Sequence, residues 1–222
     1  FAPIDFDKPF KPIAVEPHVV QLTVQPESLP RDLPRRRLWS HQDQAVITEY
    51  FEKRLKNGMW RPVSELEAAA IPWISYPFCV PKANGARRVV FNFATTVNRF
   101  TAADPHRMPN AQDIRNSTAG ARLFSVFDMQ ESFSQFPLAA ESQLYFATEL
   151  PDGRIVVPTV VLMGPTSSPA AVQRRNEALV AEVMKSPALS GRTKFAPPHI
   201  DDFVISTVCD ELDEAAVAAH AQ

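Results

Sequence analysis

His199-Ile200-Asp201-Asp202-Phe203-Val204-Ile205-Ser206 sets two adjacent acids inside an apolar run, and Leu123-Phe124-Ser125-Val126-Phe127-Asp128 ends a second apolar run on a third acid. Residues 121–129 read as a buried strand, and residues 200–205 as a strand pair turning at the two acids. A carboxylate in apolar surroundings is costly unless something pairs with it. A divalent cation is such a partner. Mg²⁺ favours one or two carboxylates together with substrate phosphates. Two such ions about 4 Å apart stabilise the attacking and leaving oxygens of a phosphoryl transfer. Taken alone, Asp-Asp at a turn is only a turn, and Asp128 is only an N-cap for residues 129–133. The surrounding residues have to decide.

Working outward, the chain has 222 residues, 45% of them hydrophobic and 22% charged. That is the composition of a globular protein and excludes a disordered tail or a fibrous repeat. No run of about 18 apolar residues is present, so no transmembrane helix and no membrane partner are expected. P-loop and kinase signatures are missing. Cys79 and Cys209 form no framework and no CxxC pair, which fits reduced thiols in an intracellular, reducing compartment. The chain opens on Phe1, consistent with processing or with a longer polypeptide, and leaves an organellar location open. Net charge is −2, a mild argument against a nucleic-acid binder. The charge is uneven. Residues 31–61 hold eight Lys/Arg against four acids, and residues 195–222 hold six acids and no Lys/Arg.

Proline punctuates the chain, at 21 residues against six glycines. Pro3, Pro9, Pro12, Pro17, Pro26, Pro30 and Pro34 make residues 1–39 an extended arm, with room for one short strand at 18–24, that folds by lying on something else. Ser40 with Asp43, then Ile47, Phe51 and Leu55, predict a helix over 41–57 stopped at Asn57-Gly58. Residues 63–70 are a second, short helical candidate. Strands are expected at 78–80 and 88–93 around Lys82-Ala83-Asn84-Gly85, and at 144–148 and 155–161 around Pro151-Asp152-Gly153. Ser168-Pro169 opens a helix running to 185, and a last uncapped helix is expected from about 210.

The order of these motifs resembles the reverse transcriptase of long-terminal-repeat retrotransposons, most nearly the gypsy type. Phe124-Ser125-Val126-Phe127-Asp128-Met129-Gln130-Glu131-Ser132-Phe133 is similar to F-S-x-x-D-L-x-S-G-Y, and His199-Ile200-Asp201-Asp202 to Y-x-D-D. Leu162-Met163-Gly164 through Ser168-Pro169-Ala170 to Gln173-Arg174 parallels P-F-G-L-x-x-A-P-A-x-F-Q-R. Lys82-Ala83-Asn84-Gly85 with Arg88, Asn98 with Thr101, the stretch from Asp104 to Pro109, and Asn57-Gly58 with Arg61-Pro62 resemble further motifs in the same order. The match spans residues 19–222.

The resemblance implies an α+β fold, the fingers and palm of a right-hand polymerase. A small antiparallel palm sheet would be covered by helices, with the thumb absent and the Pro-rich arm in front. Its parts would be the arm 1–39, fingers 40–109 and 139–167, and palm 110–138 and 168–222. Asp128, Asp201 and Asp202 would be catalytic and would hold Mg²⁺ or Mn²⁺ with the Met129 carbonyl. Lys82 and Arg88 would grip the nucleotide triphosphate, a task for a point charge and a guanidinium fork. Phe133 would gate the ribose, Met163 and Gly164 would lie under the nucleotide, and Gln173 would be a template-side or structural contact. Arg35, Arg36 and Arg37 would meet a nucleic-acid backbone.

The pattern is broken at several points. Asn92 and Ala94 stand where the family has Asp and Arg, Ser132 where it has Gly, and His199 where it has Tyr; Pro197-Pro198 precede the acids. Two expectations follow. One is an RNA-directed DNA polymerase core acting on an RNA/DNA primer–template. The other is a domesticated, non-polymerising scaffold whose arm binds RNA or protein subunits of a larger assembly.

Overall fold

The computed structural model describes residues 4–30, 38–186, 192–209 and 217–218. Arg35, Arg36, Arg37 and nearly all of the expected last helix lie outside the described residues. The main elements are α1 (His41–Lys56), β1 (Trp60–Pro62), α2 (Glu65–Ala68), β2 (Pro77–Pro81), β3 (Arg87–Phe91), α3 (Val97–Phe100), α4 (Ala111–Ser117), β4 (Leu123–Asp128), α5 (Ala140–Gln143), β5 (Thr148–Glu149), β6 (Ile155–Pro158), α6 (Ser168–Val183), β7 (Thr193–Phe195) and β8 (Asp202–Thr207). Helices and small antiparallel sheets are mixed along the chain, with strand orders β1-β6-β5, β2-β3 and β4-β8-β7.

The chain forms two compact units. One, the acid unit, gathers residues 105–132 and 169–222; the other, the hairpin unit, gathers 2–104 and 133–168. The arm therefore belongs to the hairpin unit, and residues 133–138, assigned above to the palm, fall there too.

In the hairpin unit the N-cap Ser40 accepts a hydrogen bond from the Asp43 amide and starts α1. The spacing of four then buries Ile47 and Phe51 completely. Phe51 meets Trp60 edge-on with ring centroids 4.9 Å apart, and Trp60 stacks on Phe91 at 5.7 Å. Phe93 continues the series, packing on Phe91 and Phe146. These rings form the core beneath the β2–β3 hairpin.

The arm docks on this same unit. Ile13 N–H donates to Gln135 O at 2.8 Å, His18 N–H to Pro137 O at 2.9 Å, and Thr23 N–H to Phe100 O at 2.8 Å. His18 is buried and its Nε2 lies 3.1 Å from Ser167 Oγ. The strand expected at 18–24 reduces to two isolated bridges, His18 with Leu138 and Leu22 with Thr101. Proline removes the donors that a longer ladder needs.

The strand expected at 144–148 is also shorter. Residues Leu144–Phe146 form a 3₁₀ turn, and only Thr148–Glu149 pair. The helical candidate at 63–70 narrows to α2, closed by a Ser64/Glu67 capping box. Four basic residues of the 31–61 stretch that lie among the described residues are engaged within this unit. Arg54 is buried and lies 3.8 Å over the Tyr50 ring. Lys53 pairs with Glu49, Lys56 with Asp7, and Arg61 with Glu67.

In the acid unit β4 pairs with β8 in antiparallel register from Leu123 opposite Thr207 to Asp128 opposite Asp202. β7 pairs on the other side of β8. β4 is thus an edge strand, and it is not buried: Phe124, Val126 and Phe127 are 54%, 68% and 51% exposed. The apolar run at 123–127 was expected to mark a buried strand, but among the described residues no strand pairs on the outer edge of β4, and side chains on both of its faces are exposed. An Asn110/Asp113 capping box starts α4, and α6 runs from Ser168 as the Ser-Pro pair predicts.

Candidate active site

The antiparallel register of β4 and β8 is definite, since a slip of one residue would turn every side chain to the opposite face. It brings Asp128 directly across from Asp202. Side chains so placed stand roughly 4.5–5.5 Å apart at Cβ, and like charges opposite one another repel. Among the described residues no Lys, Arg or His lies within ion-pair distance of Asp128, Asp201 or Asp202. Two facing carboxylates with no cation beside them among the described residues lie at the end of the sheet.

Asp201 belongs to the turn that closes the strand. His199 and Asp202 exchange both backbone hydrogen bonds, each 3.0 Å, across Ile200 and Asp201. Ile200 has φ 54°. A two-residue loop with positive φ only at its first central position is a type II′ turn, whose usual occupant there is glycine. A β-branched residue in the left-handed region is a real outlier and costs about 1–2 kcal/mol. Pro197 and Pro198 lie between β7 and β8, so no ladder is broken; Ala196 N–H still donates to Val204 O at 2.9 Å. Met129 is buried behind Asp128, and its amide donates to Asp201 O at 2.8 Å, tying the two acid-bearing segments together.

Helix α6 holds the turn. Gln173 and Asn176, one turn apart on its buried side, are fully buried. Gln173 Oε1 accepts from Ile200 N–H at 2.9 Å, and its Nε2 donates to Pro198 O at 2.6 Å. Asn176 Nδ2 donates to Ile200 O. Gln173 thus serves as a structural contact, and its burial leaves no surface for a template. Asn176 was not singled out from sequence. Two buried amides at i and i+3 on a helix were the available signal, because buried amides must find partners.

The donor set suits Mg²⁺ or Mn²⁺ in chemistry but not in number. The carboxylate oxygens of Asp128 and Asp202, both exposed, and of Asp201 are hard donors of the kind such ions prefer. The third ligand is not drawn in: among the described residues no three His, Cys, Asp or Glu side chains are grouped to hold a metal ion. The convergence of all three acids expected from sequence is therefore seen as an opposed pair with Asp201 beside it.

The remaining residues lie in the hairpin unit. Lys82 N–H donates to Ala86 O, and Gly85 at φ 79° closes the loop. Arg88 stands opposite Val80, on the face turned away from the Cys79 and Val89 side that packs on the core. Lys82 and Arg88 are both exposed. Arg87 points the other way and bridges to Asp43 at 2.8 Å, fastening the hairpin to α1. The Ser40 hydroxyl bonded to Asp43 holds that carboxyl below its usual range, and burial pushes the Cys79 thiol up, which argues against a reactive cysteine. Phe133 is buried at 8% exposure and Met163 is 62% exposed. Gly164 has φ 113°, and a Cβ there would come within 3.2 Å of the Phe93 ring. Asn98 grips this loop from both sides, donating to Gly164 O and accepting from Thr166 N–H, each at 3.0 Å. Ser132, standing where the resemblance has Gly, does not take up the left-handed backbone; Glu131 does, at φ 50°.

Comparison with known proteins gives partial likenesses. No family model matches the chain. It is similar to an enzymatic polyprotein of Figwort mosaic virus (strain DxS), 31% identical over 124 residues, which is 56% of this chain and 17% of the polyprotein. It is similar to an enzymatic polyprotein of Cauliflower mosaic virus (strain Strasbourg), 26% identical over 161 residues, 71% of this chain and 22% of the polyprotein. A polyprotein P3 of Commelina yellow mottle virus is 26% identical over 129 residues, 58% of this chain and 6% of that protein. The chain spans less than a quarter of the length of these curated relatives. No helix among the described residues is long and apolar enough to cross a membrane.

Proposed function

We propose that this chain is reverse-transcriptase-like, the fingers–palm part of an RNA-directed DNA polymerase working by two-metal nucleotidyl transfer. The observation that carries the proposal is the opposition of Asp128 and Asp202 across β4 and β8, with no paired cation among the described residues and adjoining the turn that bears Asp201. The ordered motifs and the similarity to viral enzymatic polyproteins support the same reading.

Asp128, Asp201 and Asp202 would hold the ions, with the Met129 carbonyl as a further oxygen donor. When bound, Mg²⁺ at these carboxylates supplies charge neutralisation for the attacking 3′-hydroxyl and the leaving pyrophosphate. Lys82 and Arg88 offset the triphosphate charge from an exposed hairpin face. Phe133, Met163 and Gly164 shape the nucleotide's surroundings, with Gly164 required by its backbone and by Phe93. The partner is a primer–template of RNA and DNA.

Primer extension on an RNA template with Mg²⁺ or Mn²⁺ tests this. Extension by the wild-type chain and its loss in Asp201→Asn are expected. A folded wild-type chain that extends no primer would overturn it.

One observation favours a second reading, a non-polymerising RNA-binding or scaffold protein: no three acidic ligands are grouped among the described residues. That protein would bind RNA without extending a primer, and its affinity would fall steeply with salt. The docking of the arm on the hairpin unit occupies the segment this reading would use for a partner.

A further inference from the structure

The turn at Ile200 is held by both of its backbone polar groups at once. Its N–H donates to Gln173 Oε1 and its C=O accepts from Asn176 Nδ2. The same Gln173 amide donates to Pro198 O at 2.6 Å, two residues before Ile200, and to Glu177 Oε1 at 2.8 Å. Glu177 in turn lies 3.2 Å from His106 Nε2. Gln173 therefore uses its acceptor and its donor, and is oriented from behind by a carboxylate that is itself engaged. Fixing the N–H and the C=O of one residue fixes the two peptide planes that flank it, and with them φ and ψ. The residue so fixed is an isoleucine in the left-handed region, a conformation that persists only when its surroundings over-determine it. The next two residues are Asp201 and Asp202.

We propose that Gln173 and Asn176 are positioning residues that hold Ile200 in its left-handed conformation and so set Asp202 across from Asp128 for cation binding. The cation part rests on the function proposed above; the clamp itself does not. A buried amide that merely fills the core would be indifferent to the residue at position 200. A clamp that enforces strain would become dispensable when glycine, which accepts positive φ freely, replaces that isoleucine.

The test uses the full chain with Gln173→Ala, Asn176→Ala, Ile200→Gly and the two double variants. Mn²⁺ alone is titrated by electron paramagnetic resonance, and Tm is measured alongside. Gln173→Ala is expected to weaken Mn²⁺ binding roughly tenfold, the scale seen when an outer partner of a metal ligand is removed. Adding Ile200→Gly is expected to restore most of that loss. A folded double variant as weak as the single one would overturn the proposal. Asn176→Ala, alone and with Ile200→Gly, removes only the donor to Ile200 O, and this pair of variants serves if Gln173→Ala does not fold. If wild-type Mn²⁺ binding is absent or insensitive to Asp128→Asn, the cation reading fails, and the Tm cycle judges the clamp. Ile200→Gly should then raise Tm less in the Gln173→Ala background, where the unclamped turn has already relaxed, than in wild type. Additive Tm shifts would overturn the clamp.

Discussion

Two hairpin turns in this chain solve the same backbone problem in opposite ways. The β2–β3 turn needs a left-handed residue and uses Gly85 at φ 79°, exposed and with nothing within 4 Å of where a Cβ would sit. The turn entering β8 also needs one and uses Ile200 at φ 54°, with buried amides on its N–H and its C=O. The first turn carries Lys82 and Arg88 nearby, on flexible stems in solvent. The second carries Asp201 and Asp202. Glycine makes a turn possible but leaves it free to move. A clamped isoleucine makes it rigid at a cost in strain, and strain of this kind gathers where geometry matters for function. Long cations need no fixed turn to reach a phosphate, whereas opposed carboxylates do.

The largest expected difference between the two turns is catalytic. Asp128→Asn should abolish primer extension. Lys82→Ala should leave turnover near wild type and raise the KM for nucleotide about tenfold, as expected where a contact is made equally in ground and transition states. Steady-state kinetics on one RNA template separates the two outcomes, and equal losses in both would erase the contrast.

A smaller effect is expected in stability. Gly85→Ala should cost about 1 kcal/mol, the penalty for an L-residue at positive φ, read as a lower denaturant midpoint with unchanged m-value. A neutral Gly85→Ala would show that the basic turn tolerates strain as readily as the acidic one.

The smallest effect concerns pH and a pair that belongs to neither turn. Arg61, donating to Glu67, is the main cause that holds the Glu67 carboxyl down to about 2, with the Ser64 amide and hydroxyl adding to it. A depressed carboxylate pKa contributes stability above the unfolded value near 4.5, and that contribution fades as pH falls from there toward 2. The pair is about a third exposed, so its share is below ~1 kcal/mol. Glu67→Gln should flatten the acid limb of a Tm–pH curve in that window and leave a nearly constant offset above it. An unchanged limb would show that solvent screens the pair completely.

Much of this was legible in the residues. The apolar runs ending at Asp128 and following Asp202 mark two strands, and their pairing places Asp128 opposite Asp202. Ser40 with Asp43 and the spacing of Ile47 and Phe51 mark α1 and its buried face. Other features were hidden for identifiable reasons. Ile is a strand former, and nothing local says that Ile200 turns left-handed, because its conformation is imposed from a helix more than twenty residues upstream. Prolines announce an extended arm but not its berth, which depends on carbonyls at Phe100, Gln135 and Pro137. The apolar run in β4 looked like core because pattern reports hydrophobicity and not whether a neighbour covers it.

The central claim is that the opposed carboxylates of the acid unit form a cation site. Mn²⁺ titration of the wild-type chain, followed by electron paramagnetic resonance and competed with Mg²⁺, tests it most directly against Asp128→Asn, Asp202→Asn and Lys82→Ala. Saturable Mn²⁺ binding that Mg²⁺ displaces, that both aspartate variants lose and that Lys82→Ala keeps is the expected result. Binding of equal strength in wild type, Asp128→Asn and Asp202→Asn, or none in the folded wild-type chain, would contradict it.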